Sequence, residues 1–193
     1  SYVEMSEPEI QDRLRDGNCS IHEMITSEIN HPFFDIDAHT PNDFSIVDFY
    51  EFLRSKFGNI EIYSCSASTD EKTSYHVHVP SISIDLTYNR IIAQIYNSLR
   101  GEFCDTAVYH VNKSLRMPLS MKLNNSGEFV RELKPQEQCN YSDLIIKNIN
   151  EAEYLEKPFY YDNNPIFDLP LSVIELDSNI HHVIVDYINS HDM

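Results

Sequence analysis

Apolar and polar residues follow regular patterns most clearly in the middle of the chain. Alternation predicts strands at 32–38, 60–65, 74–79 and 103–111. Helical spacing predicts one helix from Ile46 to Phe57 and another from Leu86 to Leu99, each followed by a glycine that ends it. The order strand–helix–strand–strand–helix–strand predicts an α+β fold of the ferredoxin or RNA-recognition type, with an antiparallel sheet and helices.

The flanking segments carry weaker patterns. Residues 1–30 are predicted to be helical with a break at Gly17 and Asn18, and residues 40–43 to form a turn and helix start, with Pro41 in the first turn. Further predictions are a turn at 124–127, a strand at 129–133, a helix at 141–149, an irregular stretch at 150–169, a strand at 173–175 and a helix at 180–188.

Composition restricts the possible partners. The chain has 193 residues, 41% of them apolar, and a formal net charge of −17. From Leu123 onward there are 13 Asp and Glu against four Lys and Arg. This balance argues against a protein that coats nucleic acid with a uniformly basic surface, but it permits an enzyme with a locally basic groove.

The cysteines and the hydropathy indicate a reduced, intracellular, soluble protein. Cys19, Cys65, Cys104 and Cys139 are widely spaced and form no C-x-x-C pair, so they are expected to be small buried residues and no zinc site is expected. No apolar run approaches 18 residues, and no signal peptide is recognised.

The first candidate site is the strand that runs through His31-Pro-Phe-Phe-Asp-Ile-Asp-Ala-His39. Alternation directs Phe34, Ile36 and Ala38 to one face. It directs Phe33, Asp35 and Asp37 to the other, with the two acids ~7 Å apart along the strand. Two carboxylates this close raise each other's pKa or bind a cation, and hard oxygen ligands suit Mg²⁺ or Mn²⁺. The alternative is a surface strand with two solvated acids.

A second cluster lies in a predicted strand about forty residues later. Ser74, His76 and His78 fall on one face of this strand, and Lys72 precedes it. Hydroxyl, imidazole and ammonium groups are suitable donors to phosphate oxygens. The alternative is a solvated half-strand.

The third cluster reverses the charge of the chain locally. Asp105 begins it, and Lys113, Arg116 and Lys122 follow without another acid between them. A carboxylate that completes a metal site, next to cations that contact phosphates, is the arrangement that phosphoryl transfer requires. The alternative is an ordinary basic hairpin.

Taken together, these clusters resemble a known family. Asp35-Ile-Asp37, Ser74-Tyr-His76 and Asp105-Thr-Ala-Val-Tyr are similar, in order and spacing, to the three motifs of the archaeo-eukaryotic primase superfamily. With Arg116 and Lys122 after them, they resemble the primase-polymerase branch, which includes primases fused to helicases in large DNA viruses. The resemblance covers about residues 30–125.

The resemblance implies a role for each residue. Asp35, Asp37 and Asp105 would be ligands of two catalytic Mg²⁺ or Mn²⁺ ions. Ser74 and His76, with Lys72 nearby, would contact the triphosphate of the incoming nucleotide. Arg116 and Lys122 would contact nucleotide or template. The implied fold is an RNA-recognition-like sheet packed against a second small α/β layer.

The implied protein is a single primase-polymerase catalytic domain over 1–193, in which 126–193 is an extension of unassigned role. It would synthesise short RNA or DNA strands on single-stranded DNA from nucleoside triphosphates at the site of DNA replication, with a replicative helicase in cis or in trans. Two alternatives stay open. One is a metal-dependent nuclease that uses His31, Asp35, Asp37 and Lys72; the other is a non-catalytic scaffold of a replication complex.

Overall fold

The computed structural model describes residues 5–17, 19–40 and 43–149. In this part of the chain, helices and small antiparallel sheets alternate, which confirms the predicted α+β class. The helices are α1 (Glu7–Arg15), α2 (Ile46–Phe57) and α3 (Leu86–Arg100), with 3₁₀ turns at Thr106–Val108 and Tyr141–Asp143. The strands are β1 (His22–Met24), β2 (Ile29–Asn30), β3 (Phe33–Ala38), β4 (Tyr63–Ser66), β5 (Thr73–His78), β6 (Ile84–Asp85), β7 (Ser114–Arg116), β8 (Met121–Leu123), β9 (Phe129–Glu132), β10 (Lys134–Pro135) and β11 (Asn148–Ile149).

The central sheet contains four antiparallel strands in the order β10-β4-β5-β3. β3 pairs with β5 over its whole length, from Phe33 opposite His78 to Ala38 opposite Thr73. Ile36 also forms an antiparallel bridge with Cys104, on the edge of β3 that faces away from β5. The segment after α3 therefore lies beside β3.

Helices α2 and α3 cover one face of this sheet. The ring of Phe34 on β3 lies 5.3 Å from that of Phe49 on α2, which in turn lies 4.6 Å from Tyr96 on α3. Phe34, Ile36 and Ala38 are buried, as the alternation predicted. Burial of each large apolar side chain contributes about 1.5–3 kcal/mol, so this face supplies much of the stability of the fold.

The other face of the central sheet is covered by short strands from both ends of the described chain. β1 pairs with β7, so that His22 lies opposite Arg116, and β8 pairs with β9 in a neighbouring hairpin. The turn between β8 and β9 is closed by a hydrogen bond from the Gly127 amide to the Asn124 carbonyl, as predicted for 124–127. These two small sheets form the layer opposite the helices, which we call the second layer.

The ends of the two long helices follow their capping residues. Ser45 precedes α2, and its hydroxyl accepts a hydrogen bond from the Asp48 amide. The helix therefore begins at Ile46 and ends at Phe57, as its spacing predicted. At 40–43 the predicted turn is present, closed by a hydrogen bond from the Asp43 amide to the Thr40 carbonyl, but the helix start predicted there is wrong. Pro41 itself lies outside the described residues. Gly58 and Gly101 end α2 and α3, as predicted.

Three predicted elements differ from the structure. Residues 22–24 and 29–30 are strands and not part of a helix, since they pair with segments far along the chain. The predicted strand 103–111 is reduced to the bridge at Cys104 followed by a 3₁₀ turn, and the predicted helix 141–149 to a 3₁₀ turn and β11. The predictions for 150–169, 173–175 and 180–188 lie outside the described residues.

Two further observations concern the chain as a whole. All four cysteines are free thiols, and Cys65 and Cys104 are buried, whereas Cys19 and Cys139 are partly exposed. None of the helices among the described residues is long and apolar enough to cross a membrane.

Candidate functional site

The two acids of β3 lie side by side on the face that the second layer covers. In the β3–β5 register, Asp35 is opposite His76 and Asp37 is opposite Ser74. His76 Nε2 is 3.5 Å from Asp35 Oδ1, and Lys72 Nζ is 2.8 Å from Asp37 Oδ2. The structure therefore brings together the first two clusters that the sequence singled out.

Asp105 reaches this pair along the opposite edge of β3. Its amide donates a 2.8 Å hydrogen bond to the Asp35 carbonyl, and the Asp37 amide donates one of 2.9 Å to the carbonyl of Phe103. The Asp105 carboxylate is exposed and accepts a hydrogen bond from the Ala107 amide, which starts the 3₁₀ turn. The three predicted acids are thus on neighbouring backbone segments.

Two asparagines of α3 fix these segments from behind. The side chain of Asn89 bonds to both the amide and the carbonyl of Phe33, at the start of β3. The side chain of Asn97 does the same for Cys104, at 2.8 and 2.9 Å. Since the amide and the carbonyl of a strand residue point along the sheet, each asparagine substitutes for a missing neighbouring strand.

We expect Asn97→Ala to destabilise the protein and to displace Asp105. The substitution leaves the buried amide and carbonyl of Cys104 without partners, which costs about 1–3 kcal/mol for each group. A thermal or urea melt measures this loss, and an activity assay measures the effect on the site. Ser98→Ala, an exposed position one residue along the same helix, is the matched control. Equal stability of the two variants would contradict this account.

The second layer completes a cavity of about 370 Å³ over the acids. Asp35, Asp37, Ser74 and His76 line its floor, whereas Arg116 and Lys122 belong to the opposite wall. The Arg116 side chain is held in place because Nη1 donates a 3.0 Å hydrogen bond to the Arg131 carbonyl. Burial lowers the pKa of Arg116, and the charge of Arg131 lowers it further. Lys113, the other predicted cation, does not line the cavity.

Negative charge accumulates around Asp35. Burial raises its pKa to about 7, and the neighbouring charges of Asp37 and Asp105 add to the shift; Arg116 and Lys72 act in the opposite direction. Burial is the main cause of this shift, and the two neighbouring carboxylates raise the pKa of Asp35 more than the two cations lower it. Such a site favours either a proton or an added cation.

The histidines of β5 are more buried than their sequence pattern indicated. Ser74, His76 and His78 share one face as predicted, but the second layer covers that face and leaves 7% or less of each exposed. Burial lowers the pKa of His76 well below its usual value, so its ring is neutral at physiological pH. Its Nδ1 has no hydrogen-bond partner in the described part of the chain. A neutral imidazole has one donor and one acceptor nitrogen, and His76 lines the cavity.

The donor chemistry of the site suits a divalent metal ion. Within the described ranges, no three His, Cys, Asp or Glu side chains converge closely enough to hold an ion as they stand. Asp35 and Asp37 nevertheless present hard oxygen donors on one face, with Asp105 on the neighbouring backbone segment, and oxygen donors of this kind suit Mg²⁺ or Mn²⁺. Asp35, Asp37 and Asp105 are therefore the residues that would hold Mg²⁺ or Mn²⁺ if their side chains drew together around an ion.

Sequence reasoning missed the residues that the second layer contributes. Ser20, His22 and Ser114 line the cavity, and His22 lies directly across from Arg116. They come from β1, β7 and the segment before β1, which were predicted as helix or left unassigned. Their pairing spans about ninety residues of chain, so no local pattern would have revealed it.

Comparison with known proteins gives no relative: no protein-family model matches the sequence, and no curated protein sequence matches it. The function is therefore inferred from the chemistry of the site and from the resemblance of its motifs.

Proposed function

We propose that the chain is a template-dependent nucleotidyltransferase of the primase-polymerase kind, which joins nucleotides into a short strand on single-stranded DNA. The observation that carries this proposal is that Asp35 and Asp37 line a cavity opposite Arg116 and Lys122. Asp105 does not line the cavity but lies on the backbone segment that is hydrogen-bonded to Asp35 and Asp37. Carboxylates facing cations across a space are suited to bind a metal–triphosphate complex.

The order of the strands supports the same proposal. The bridge at Cys104 places a further segment beside β3, so that the motif-bearing core has the spatial order β4, β5, β3, residue 104. In chain order these are the second, third, first and fourth segments. The first and the third are therefore neighbours, as expected for an RNA-recognition-like sheet. β1, β7, β8 and β9 would form the second layer that closes the site.

Each candidate residue has a task in this proposal, including Asp105 and Lys72, which lie beside the cavity and do not line it. Asp35, Asp37 and Asp105 would hold Mg²⁺ or Mn²⁺, which when bound activates the 3′-hydroxyl and stabilises the leaving pyrophosphate. Arg116 and Lys122 bind oxygens of the triphosphate, and Ser74 and His76 donate hydrogen bonds to it from the floor. Lys72, which pairs with Asp37, would contact the triphosphate from beside the floor of the cavity.

The size and the charge of the cavity fit this ligand. A volume of about 370 Å³ lies in the range of pockets that bind small molecules and cofactors. Cations on one wall and acids on the floor allow the triphosphate to lie between them, with the metal on the acidic side. The net charge of −17 acts against the approach of a polyanion, and Arg116 and Lys122 in the cavity wall offset it locally.

The position of His31 makes the nuclease alternative weaker. His31 was a candidate ligand for a hydrolytic site, but it does not line the cavity. It lies near His78 instead, and the charges of Lys147 and Asp143 act on it. A hydrolytic site would therefore consist of the β3 acids and Lys72 without the predicted histidine.

A single incubation distinguishes these possibilities. The protein is mixed with a primed and an unprimed single-stranded template, labelled ribo- or deoxyribonucleoside triphosphates, and Mg²⁺ or Mn²⁺, and the products are resolved on a gel. Growth of a strand supports the proposal, and growth on the unprimed template assigns initiation as well. Shortening of the template without nucleotides would favour the nuclease. No change in either direction would favour a scaffold that acts beside a helicase.

A further inference from the structure

One residue makes both of the hydrogen bonds that join residues 122–132 to the described chain outside the β8–β9 hairpin. The carbonyl of Arg131 accepts a 3.0 Å bond from Arg116 Nη1. The side chain of Arg131 donates a 3.3 Å bond from Nη1 to the Ala67 carbonyl. Arg131 is therefore the link between the hairpin, the wall of the cavity and the segment that follows β4.

Apolar packing does little to hold this part of the hairpin in place. Leu123, Phe129 and Val130 are each 40–46% exposed, so they bury little surface against the rest of the described chain. β8 and β9 form a sheet of their own with two strands, and an isolated two-stranded hairpin is at best marginally stable in water. The position of the hairpin, and of Lys122 within it, therefore depends on the two bonds of Arg131.

The bonds of Arg131 connect the wall of the cavity to its floor. Ala67 is buried, and its amide donates a 3.0 Å hydrogen bond to the carbonyl of Ser74, which lines the floor. Arg116 and Lys122 line the wall, and Lys122 lies directly opposite Arg131 in the hairpin. Arg131 itself is not among the described residues that line the cavity. It lies behind the wall and ties the wall to the floor.

Charge alone would not keep these cations together. Burial lowers the pKa of Arg116 and of Lys122, and the charge of Arg131 lowers both further, so Arg131 repels the two side chains. The bonds to the carbonyls of Arg131 and Ala67 hold the two guanidinium groups in place against this repulsion. An anion that enters the cavity therefore meets cations that are already assembled.

We propose that Arg131 is the positioning residue of the basic wall: its carbonyl fixes the Arg116 guanidinium, and its side chain holds the hairpin, with Lys122, against the segment bonded to the floor. Arg131 acts through these two cations and does not itself touch the ligand. The proposal rests on the proposed function in taking the ligand of the cavity to be a triphosphate. Loss of the Arg131 guanidinium should therefore weaken triphosphate binding, although every described residue that lines the cavity is retained.

The probe is inorganic triphosphate, titrated calorimetrically into the whole protein with Mg²⁺ and without template or nucleotide. Arg131→Gln should weaken its affinity by roughly 10- to 150-fold, the effect of losing one hydrogen bond to a charged group. Arg131→Lys, which keeps the charge and one donor, should recover part of this loss. Lys134→Gln removes a cation that is 68% exposed outside the cavity, so this matched control should stay within about twofold of the wild type. Thermal melts confirm that each variant is folded.

Two further measurements separate positioning from charge. The ratio of wild-type to Arg131→Gln affinity should stay the same from about 0.1 to about 1 M salt, because salt screens a long-range charge effect but does not restore a displaced contact. In a double-mutant cycle, Arg131→Gln should cost much less in an Arg116→Gln background, since a residue through which Arg131 acts is already lost. A purely structural role would lower the melting temperature and leave the triphosphate affinity of the folded protein unchanged.

The proposal is overturned by wild-type triphosphate affinity in Arg131→Gln, by an equal loss in Lys134→Gln, or by a loss that disappears at about 1 M salt. A full additional loss in the Arg116→Gln background also overturns it, because the two residues would then act independently. Its failure is distinct from failure of the proposed function. Strand growth with unaltered triphosphate binding in Arg131→Gln refutes only the positioning role. Triphosphate binding that depends on Arg131, without strand growth, supports that role and counts against polymerisation.

Discussion

Asp35→Asn and Asp37→Asn are each expected to abolish nucleotide addition while the protein stays folded. Each change removes one negative oxygen donor from the proposed metal site and leaves the side-chain volume nearly unchanged. Metal ions contribute several kcal/mol to the stabilisation of a phosphoryl-transfer transition state, so the rate should fall by about 10³-fold or more. Primer extension measures the rate, and a thermal melt confirms the fold.

The two variants should differ in stability. This difference distinguishes the loss of a metal ligand from a general loss of folded structure, which would destabilise both variants. Asp35 is repelled by Asp37 and Asp105, so Asp35→Asn should raise the melting temperature of the metal-free protein. Asp37→Asn breaks the partly exposed pair with Lys72, a pair of a kind worth about 0–1 kcal/mol. Glu51→Gln, an exposed acid on α2, is the control for the charge change alone. Extension by either site variant at the wild-type rate would show that the metal site is elsewhere.

The second large effect is a stability maximum near pH 6.5, with losses on both sides. Burial lowers the pKa of His31 to about 4, that of His78 to about 3 and that of His76 well below its usual value. Below pH 6.5 the unfolded chain therefore binds protons that the folded chain cannot, and stability falls as the pH falls. Each such histidine contributes roughly 1.4 kcal/mol per pH unit.

The loss on the alkaline side comes from Glu23. Its Oε2 accepts a 2.8 Å hydrogen bond from the Ile146 amide, whereas Oε1 is buried without a partner among the described residues. Burial raises the pKa of Glu23 to about 8, so the folded state keeps a proton that the unfolded state has released above about pH 4.3. Stability from this group declines as the pH rises towards 8, and Asp35 acts in the same sense up to about pH 7.

Two substitutions separate the two sides of this profile. His78→Gln should flatten the decline below pH 6.5 without affecting the alkaline side. Glu23→Gln should flatten the decline between pH 6.5 and pH 8. Because the Glu23 contribution already declines from about pH 4.3, this substitution should also make the loss of stability below pH 6.5 steeper. Melting temperatures between pH 4 and pH 8.5 test this. A wild-type profile that rises continuously to pH 8, or a Glu23→Gln variant with the wild-type slope above pH 6.5, would contradict the assignment.

The fold was predictable where neighbours in sequence decide the structure. Phe34, Ile36 and Ala38 alternate with Asp35 and Asp37, so the burial of one face of β3 followed from the sequence alone. The ends of α2 and α3 followed from Gly58 and Gly101. The alternation within β3 and β5 likewise predicted which of their side chains lie on the face that forms the floor of the cavity.

Prediction failed where pairing with a distant segment, or a hydrogen bond from one side chain, determines the local backbone structure. Ile21, Met24 and Ile25 have helical spacing, but β1 is a strand because β7 supplies its hydrogen bonds from about ninety residues away. The strand predicted at 103–111 stops after Cys104 because the Asp105 side chain accepts from Ala107 and starts a turn. The wall of the cavity, which depends on these long-range pairings, was therefore not predictable.

The three acids differ in how firmly the backbone holds them: Asp35 and Asp37 form a fixed pair, whereas Asp105 is attached by a few hydrogen bonds. Asp35 and Asp37 belong to a strand paired along its whole length, whereas Asp105 depends on two backbone hydrogen bonds across the edge of β3 and on the Asn97 side chain. Opening of that edge would remove one carboxylate without unfolding the sheet. The amide hydrogens of Asp37 and Asp105 form those two bonds. The rate at which these hydrogens exchange with solvent therefore measures how often the Asp105 segment opens, separately from unfolding of the whole protein.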